Sequence, residues 1–345
     1  MVIKLKKYLN YGVLVILLIS TFWVIFSKLD FRNFLYVLEA SNPVYLIGGV
    51  ICMILFLGIE AWVLDILLKR VNPEIKSFTA IKITLVGQYY SYLTPFSSGG
   101  QPAQLYELRK DNIPLTSGTA VLVSKFILYQ VTATIYALVL AILKLPMILE
   151  NTKIASTFIF IGLFINTFGM TAIVMIAFNS DKMKKVIKKI ILWLKYIHII
   201  KKPEQCIDKS TQFIDEYVEC LNKYKEDWVL TLRLFCATII QLTAFFSITF
   251  FVYKALGLSG TSIYQIITLQ ALLYIAIVLI PSPGTVGAAE VGFALLLKTV
   301  FSSNLITAAL LLWRCLSYYL GLIVCGIFTF YLYVFQRRVG GRIDA

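Results

Sequence analysis

Charge is scarce in this chain of 345 residues, of which only 14% are charged and 59% are hydrophobic. Soluble domains usually contain about 25% charged and about 45–50% apolar residues, so the composition excludes an ordinary soluble protein. The charges are also unevenly divided, with 32 Lys and Arg against 18 Asp and Glu. A basic excess on so little soluble surface is typical of the cytoplasmic loops of membrane proteins and argues against nucleic-acid binding.

Residues that bind metals or form disulfides are equally few. The chain has one histidine, His198, and six cysteines without a Cys-x-x-Cys pair. These numbers and spacings argue against a metal site and against a disulfide framework. The glycine motif Gly284-x-x-Gly287 is not followed by the Lys-Ser/Thr of a P-loop. We therefore expect no metal, no cofactor and no catalytic residue.

Long apolar runs make up much of the chain. A membrane-spanning helix needs roughly 20 mostly apolar residues. Six segments fit this requirement: 10–27, 43–68, 118–143, 155–179, 228–254 and 305–335. The first follows three lysines like a signal peptide but has no small-residue cleavage site, so we expect a retained anchor. The sequence predicts an all-α polytopic integral membrane protein with six full spans.

Two further apolar stretches, 77–106 and 263–300, are interrupted near their middles by proline, glycine and serine. If the N-terminus is cytoplasmic, most of the 32 basic residues fall on the cytoplasmic side, which predicts that both termini lie there. Each broken stretch then enters and leaves the membrane on one side, the first from the cytoplasm and the second from outside. This predicts two re-entrant hairpins; the alternative is a pair of ordinary tilted spans in each stretch.

The order span, broken hairpin, span occurs twice, at about 43–143 and about 228–335, with opposite orientations. This pattern predicts an inverted repeat within a single transmembrane domain over 1–345, and transporters commonly place a central site between such repeats. The repeats are joined by a basic cytoplasmic loop, 180–227. Residues 182–202 carry eight lysines beside apolar residues at helical spacing, which predicts an amphipathic helix on anionic inner-leaflet lipid. That helix either recruits lipid to the site or only anchors the loop.

Each break is expected to start a new half-helix inside the membrane. Pro95 ends the helix before the first break, and Gly99 and Gly100 permit a sharp turn. At the second break, Thr285 or Ser282 is predicted to cap the new helix. The free N–H groups of two such helix ends would suit an anion such as a phosphate. Alternatively, nearby Ser, Thr and Gln side chains accept hydrogen bonds from these free N–H groups.

Ionisable residues at membrane depth are costly and are therefore candidates for function. Arg314 is expected either to pair with Glu290 or to hold a lipid phosphate, and Glu60 is predicted to pair with Lys125. The predicted substrate-binding residues are Thr94, Ser97, Gly99, Gly100, Gln101, Gln104, Ser282, Gly284, Thr285, Gly287, Glu290 and Arg314, with Glu60, Lys125, Glu107 and Arg109 as secondary candidates. Three amides in apolar segments, Gln130, Gln241 and Gln270, are predicted to hydrogen-bond between helices.

The two breaks resemble a known family. They read Thr94-Pro95-x-x-x-Gly99-Gly100-Gln101-Pro102 and Pro281-Ser282-Pro283-Gly284-x-x-Gly287-x-x-Glu290, with Arg314 downstream. This is similar to the transmembrane domain of the lysylphosphatidylglycerol synthase/flippase family. The resemblance implies a bacterial or archaeal cell-membrane protein whose partner is phosphatidylglycerol or its aminoacyl derivative. It implies a flippase for an anionic or aminoacylated lipid such as lysylphosphatidylglycerol, which contributes to envelope charge and to resistance against cationic antimicrobial peptides.

The chain also departs from that family. In two-domain members a soluble domain transfers lysine from lysyl-tRNA to phosphatidylglycerol, whereas this sequence ends at Ala345, so we do not expect the synthase reaction. Gln101 and Gln104 are neutral where many relatives carry an acidic and a basic residue, which leaves the headgroup open. Three alternatives remain: a phosphatidylglycerol lysyltransferase, a secondary transporter of a small anion, and a non-transporting partner of a glycosyl- or lipid-transferase. Whether the chain forms a homo-oligomer is also open.

Overall fold

The computed structural model describes residues 31–146, 153–196, 203–225, 227–277, 285 and 287–340, and these residues form helices and contain no strand. The helices are α1 (Phe31–Glu39), α2 (Pro43–Val71), α3 (Ser77–Leu93), α4 (Gly100–Lys110), α5 (Leu115–Leu143), α6 (Lys153–Ala177), α7 (Ser180–Tyr196), α8 (Pro203–Lys225), α9 (Trp228–Ala255), α10 (Ile263–Ile277), α11 (Ala288–Leu296), α12 (Ile306–Arg314) and α13 (Leu320–Gly340). A 3₁₀ turn, Leu297–Thr299, follows α11, and a π-helical segment, Cys315–Tyr319, joins α12 to α13.

Five helices in the described residues are long and apolar enough to cross a membrane. They are Pro43–Val71, Leu115–Leu143, Ile159–Ala177, Trp228–Ala255 and the combined rod Ile306–Val334. These helices correspond to five of the six predicted spans and confirm an all-α polytopic membrane protein. The remaining predicted span, 10–27, lies outside the described residues.

The two central spans, α2 and α9, begin at capped ends. The side chain of Asn42 accepts a hydrogen bond from the Val44 N–H at 3.0 Å, and Asp227 accepts one from the Leu230 N–H at 2.9 Å. Such caps satisfy N–H groups that the first helical turn leaves without partners. The helices then pack along each other, and Gly48 allows the Phe251 ring to approach α2, because a Cβ at Gly48 would lie 2.4 Å from that ring.

The first broken stretch folds as two short helices, α3 and α4, which pack against each other. With 17 residues, α3 is about 25 Å long and is shorter than the full spans. A Cβ on Gly100 would lie 2.8 Å from the carbonyl oxygen of Gly87, so the two helices touch backbone to backbone here. In the second stretch α10 packs against α11. Whether either hairpin is re-entrant, and whether the repeats are inverted, stays a prediction.

The basic loop forms two helices beside the bundle, α7 and α8, which pack against each other. Ile191 of α7 is buried, and Met183 packs in a cluster with Tyr217 of α8. Lys184 pairs with Asp215 at 2.6 Å, and this hydrogen bond lowers the pKa of the Asp215 carboxyl. The predicted amphipathic helix is therefore present over its described part, while residues 197–202, including His198, lie outside the described residues.

The backbone contact at Gly100 generates a stability prediction. We expect Gly100→Ala to destabilise the protein by about 2 kcal/mol, because the added methyl group meets a backbone oxygen that cannot move without displacing α3. Gly58→Ala is the matched control, since nothing lies within 4 Å of a Cβ built at Gly58 in the middle of α2. Thermal unfolding in detergent measures both variants. Equal melting temperatures for the two variants would contradict the close contact.

Candidate functional site

A cavity of about 560 Å³ lies at the centre of the helical bundle. Residues of α2, α3, α4, α5, α9, α10 and α12 line it, together with residues of both breaks. Ligand pockets commonly measure about 300–1,000 Å³. The space therefore suits a small molecule or a lipid headgroup and is too small for the acyl chains of a phospholipid.

The cavity reaches the molecular surface at the first break. Four lining residues there are exposed: Phe96, Ser97, Ser98 and Gln101. Phe96 alone is 58% exposed, whereas lining residues deeper in the bundle, such as Gln241 and Gln270, are 2% exposed. The first break thus forms the mouth, and the amides of α9 and α10 form part of the deep wall.

The structure brings half of the predicted site residues to this cavity. Those that line it are Ser97, Gly100, Gln101, Gln104, Thr285 and Arg314, with the secondary candidates Glu60 and Lys125. Those that do not line it are Thr94, Gly99, Gly287, Glu290, Glu107 and Arg109. Ser282 and Gly284 lie outside the described residues.

The first break is closed by its own side chains and backbone. The Thr94 hydroxyl accepts a hydrogen bond from the Gly99 N–H at 2.8 Å and donates to the Tyr90 carbonyl at 2.7 Å. The left-handed residues of the turn are Phe96 and Ser97, with φ of 55° and 53°, whereas Gly99 is right-handed at −76°. Gly99 therefore does not supply the left-handed turn, and Thr94 holds the turn rather than facing the cavity.

An ion pair organises the second break. The Arg314 Nε lies 2.8 Å from the Glu290 Oε1, and the Arg314 Nη2 donates to the Thr285 carbonyl at 3.3 Å. The second oxygen of Glu290 accepts a hydrogen bond from the Gly287 N–H. Arg314 thus ties α12 to the start of α11. The predicted pair with Glu290 is present.

The predicted cap at the second break was wrong. Gly287, not Thr285, is the N-cap of α11, and its N–H is satisfied by the carboxylate three residues later. This is the reaching-back arrangement of a capping box, in which a Glu in the first turn supplies the acceptor. Thr285 instead has φ of 56°, an unfavourable conformation for a β-branched residue, and its carbonyl accepts from Arg314.

A second, part-buried ion pair lies in the cavity wall between α2 and α5. Lys125 Nζ lies 2.9 Å from Glu60 Oε1, and the Gln88 amide of α3 donates to the other Glu60 oxygen. The side chains of Lys125 and Glu60 are 13% and 12% exposed. The predicted pairing is therefore present, and Gln88, which sequence reasoning missed, completes it.

The basic side chains of the cavity are held by different means. Arg314 stacks over two aromatic rings, with its Cζ 5.1 Å from the Trp313 centroid and 5.5 Å from that of Tyr318. Cation–π contacts of this kind stabilise a guanidinium away from water. Lys125 is instead paired with the Glu60 carboxylate, 2.9 Å away. Both cations thus lie beside the cavity, and each positive charge is stabilised by neighbouring side chains.

Two secondary candidates, Glu107 and Arg109, belong to the end of α4. Glu107 is fully buried between Lys82 at 3.7 Å and Lys110 at 2.7 Å. Lys82 also pairs with Asp111 at 2.7 Å. This cluster fastens the end of α4 to α3, and Arg109 is exposed beside it. Neither candidate faces the cavity.

The three predicted interhelical amides differ in their contacts. Gln130 donates to the Asn166 side chain at 3.3 Å, between α5 and α6. Gln241 Nε2 and Gln270 Oε1 have no hydrogen-bond partner among the described residues, although both side chains are buried and line the cavity. Two tyrosines that line the same wall, Tyr129 and Tyr274, were not singled out by sequence reasoning, because aromatic residues in apolar spans give no distinguishing pattern.

Comparison with known proteins places this architecture in a family. A family described as the lysylphosphatidylglycerol synthase TM region matches residues 11–325. The chain belongs to this family. It is also similar to a UPF0104 membrane protein of Archaeoglobus fulgidus, with 22% identity over 335 residues that cover 89% of this chain and 92% of the relative. Membership implies a lipid-related function in a membrane and a lipid partner related to phosphatidylglycerol.

The Glu60–Lys125 pair generates a second prediction. We expect Lys125→Met to destabilise the protein by about 3–5 kcal/mol, because it leaves the Glu60 carboxylate buried without its counter-ion. The double variant Glu60→Leu with Lys125→Met should be more stable than that single variant, since both charges are removed together. Thermal unfolding in one detergent compares the wild type, the two single variants Lys125→Met and Glu60→Leu, and the double variant. Additive destabilisation by the two substitutions would contradict a direct interaction.

Proposed function

We propose that this protein is a flippase that moves an anionic or aminoacylated phospholipid between the leaflets of a bacterial or archaeal cell membrane. The observation that carries the proposal is the central cavity, which opens at the first break and is lined by two basic side chains, the part-buried Lys125 and the buried Arg314. Cations that line a cavity within the apolar helical bundle favour a phosphate. The lipid-related family supports the same class of substrate.

In the proposed mechanism only the headgroup enters the cavity. It passes the mouth near Ser97 and Gln101, and the acyl chains stay in the bilayer because the space is about 560 Å³. The phosphate then meets the guanidinium of Arg314 and the first turn of α4, which lines the cavity at Gly100. The positive end of a helix dipole adds to the attraction for an anion.

Arg314 has a second role in the proposed cycle. When the cavity is empty it pairs with Glu290 and holds the Thr285 carbonyl. A bound phosphate competes for the guanidinium and loosens the second break. With both termini in the cytoplasm, the two hairpins lie on opposite sides of the cavity, and rocking of the inverted repeats alternates access.

The helix α7 supports a membrane-surface role. Part of its apolar face packs on α8, whereas Val186, Ile190 and Trp193 stay exposed beside lysines. Exposed apolar residues flanked by lysines suit the boundary between acyl chains and anionic headgroups. We propose that this face lies on the inner leaflet.

A fluorophore at Trp193→Cys, in a chain without other cysteines, tests the position of α7. It should be quenched by brominated phosphatidylglycerol in reconstituted vesicles, because residue 193 faces the lipid. The same label at Lys188→Cys, on the lysine side of α7, is the control. Equal quenching at both positions would contradict the placement.

The transport proposal is tested with purified protein in liposomes that contain labelled phosphatidylglycerol. The double variant Arg314→Gln with Glu290→Gln removes both charges together, so the break keeps a neutral polar pair and the fold is retained. We expect it to flip lipid about tenfold more slowly or worse, since the phosphate loses about 1.4 kcal/mol or more of stabilisation. Arg109→Gln, an exposed change outside the cavity, should flip at the wild-type rate.

Three outcomes would overturn the flippase proposal. Flipping by the double variant at the wild-type rate would remove Arg314 from the site. Entry of free phosphate into the liposomes without lipid flipping would indicate a small-anion transporter. Formation of lysylphosphatidylglycerol from lysyl-tRNA and phosphatidylglycerol, followed by thin-layer chromatography, would indicate the lysyltransferase instead.

A further inference from the structure

One tyrosine of the π-helical segment Cys315–Tyr319 closes the end of α3. The Tyr318 hydroxyl donates a hydrogen bond to the Tyr92 carbonyl at 3.0 Å. Tyr92 lies in the last turn of α3, where carbonyl groups have no partner within the helix. The Tyr90 carbonyl of the same turn accepts a hydrogen bond from Thr94 at 2.7 Å. The carbonyls before the first break are therefore satisfied partly by the break itself and partly by the π-helical segment.

The ring of Tyr92 is held by the same part of the chain. The Tyr92 and Tyr318 rings meet edge to face, with centroids 5.3 Å apart and planes at 86°. Gly321 lies at the start of α13, and a Cβ built there would lie 2.5 Å from the Tyr92 hydroxyl oxygen. The backbone of α13 thus approaches Tyr92 so closely because residue 321 is a glycine. We therefore expect the end of α3 to follow any movement of the π-helical segment.

Tyr318 also faces the guanidinium of Arg314. The Arg314 Cζ lies 5.5 Å from the Tyr318 centroid, and both side chains line the central cavity. Arg314 contacts the second break through the Glu290 carboxylate at 2.8 Å and the Thr285 carbonyl at 3.3 Å. One side chain therefore connects the arginine that holds the second break to the helix end that precedes the first break.

The backbone between α12 and α13 is suited to movement at this point. It forms a π-helical turn directly after Arg314. Such turns are rare, occur mostly as single turns at functional sites, and are places where helices bend. The Ser317 hydroxyl donates to the Trp313 carbonyl at 2.6 Å, a contact that also often bends helices. The rod Ile306–Val334 therefore has its natural bending point where the contacts to the two breaks meet.

From this geometry we infer that Tyr318 is a positioning residue that couples the two breaks. While Arg314 is paired with Glu290, Tyr318 stays beside the guanidinium and holds the Tyr92 carbonyl. When Arg314 leaves Glu290, the π-helical segment bends with it, and the end of α3 changes its position at the mouth of the cavity. The inference rests on the proposed function for its role in transport, since it names the residue through which a phosphate at Arg314 alters the mouth.

Cysteine labelling at the mouth tests the coupling in the purified protein, in detergent and without lipid. Gln101→Cys, in a chain without other cysteines, places a reporter at this exposed position, and its rate of reaction with a maleimide measures the accessibility of the first break. Glu290→Gln removes the carboxylate that pairs with Arg314. We expect this substitution to change the labelling rate by about threefold or more. Tyr318→Phe should abolish that change, because it keeps the ring and removes the hydrogen bond to Tyr92.

Tyr319→Phe is the matched control. It removes a hydroxyl from the same segment and leaves the bond from Tyr318 to Tyr92 in place. In this background Glu290→Gln should change the labelling rate as much as in the wild type. Arg314→Lys is a second perturbation of the second break, since one ammonium group does not reproduce both guanidinium contacts. Melting temperatures show which variants are folded.

The inference is overturned if Tyr318→Phe and Glu290→Gln change the labelling rate additively, or if neither Glu290→Gln nor Arg314→Lys changes it in any background. Flipping assays separate this result from the flippase proposal. Coupled labelling without any flipping of lipid in liposomes would reject transport and keep the coupling. Additive labelling, with flipping by Tyr318→Phe at the wild-type rate, would reject the coupling and keep transport.

Discussion

The ion pair between Arg314 and Glu290 is the interaction on which the site depends. An arginine at membrane depth is costly unless its charge is balanced, and here one carboxylate, one backbone carbonyl and two aromatic rings share that task. The same carboxylate accepts the Gly287 N–H, so the charge of Arg314 and the start of α11 are fixed by one group. A substitution of Arg314 therefore removes contacts that hold the second break.

The two breaks solve one constraint in different ways. Backbone groups freed within a membrane protein must find partners inside the protein. At the first break a hydroxyl and the turn itself supply them, through Thr94 and the left-handed residues Phe96 and Ser97. At the second break charged side chains do so, through Glu290 and Arg314. The first break is consequently free to form the exposed mouth, while the second is bound to the deep wall of the cavity.

The general fold was predictable from the sequence, but the structural roles of individual residues at the two breaks were less predictable. The length of the hydrophobic segments located the five described spans, because a helix that crosses a bilayer needs roughly 20 mostly apolar residues. Charge in apolar segments also identified both ion pairs, since buried ions need partners. Local patterns did not show that Thr94 closes a turn or that Gly287 caps α11, because each depends on the backbone path through the break. Gln88 was missed since one amide in an apolar helix is a weak pattern.

The most direct test of the central claim is an experimental structure of the protein in a phosphatidylglycerol bilayer disc. The account predicts phosphate density within hydrogen-bond distance of Arg314 in the central cavity, with acyl chains leaving past Ser97 at the first break. A well-resolved structure that shows lipid only on the outer surface, with the cavity closed to the bilayer, would contradict it.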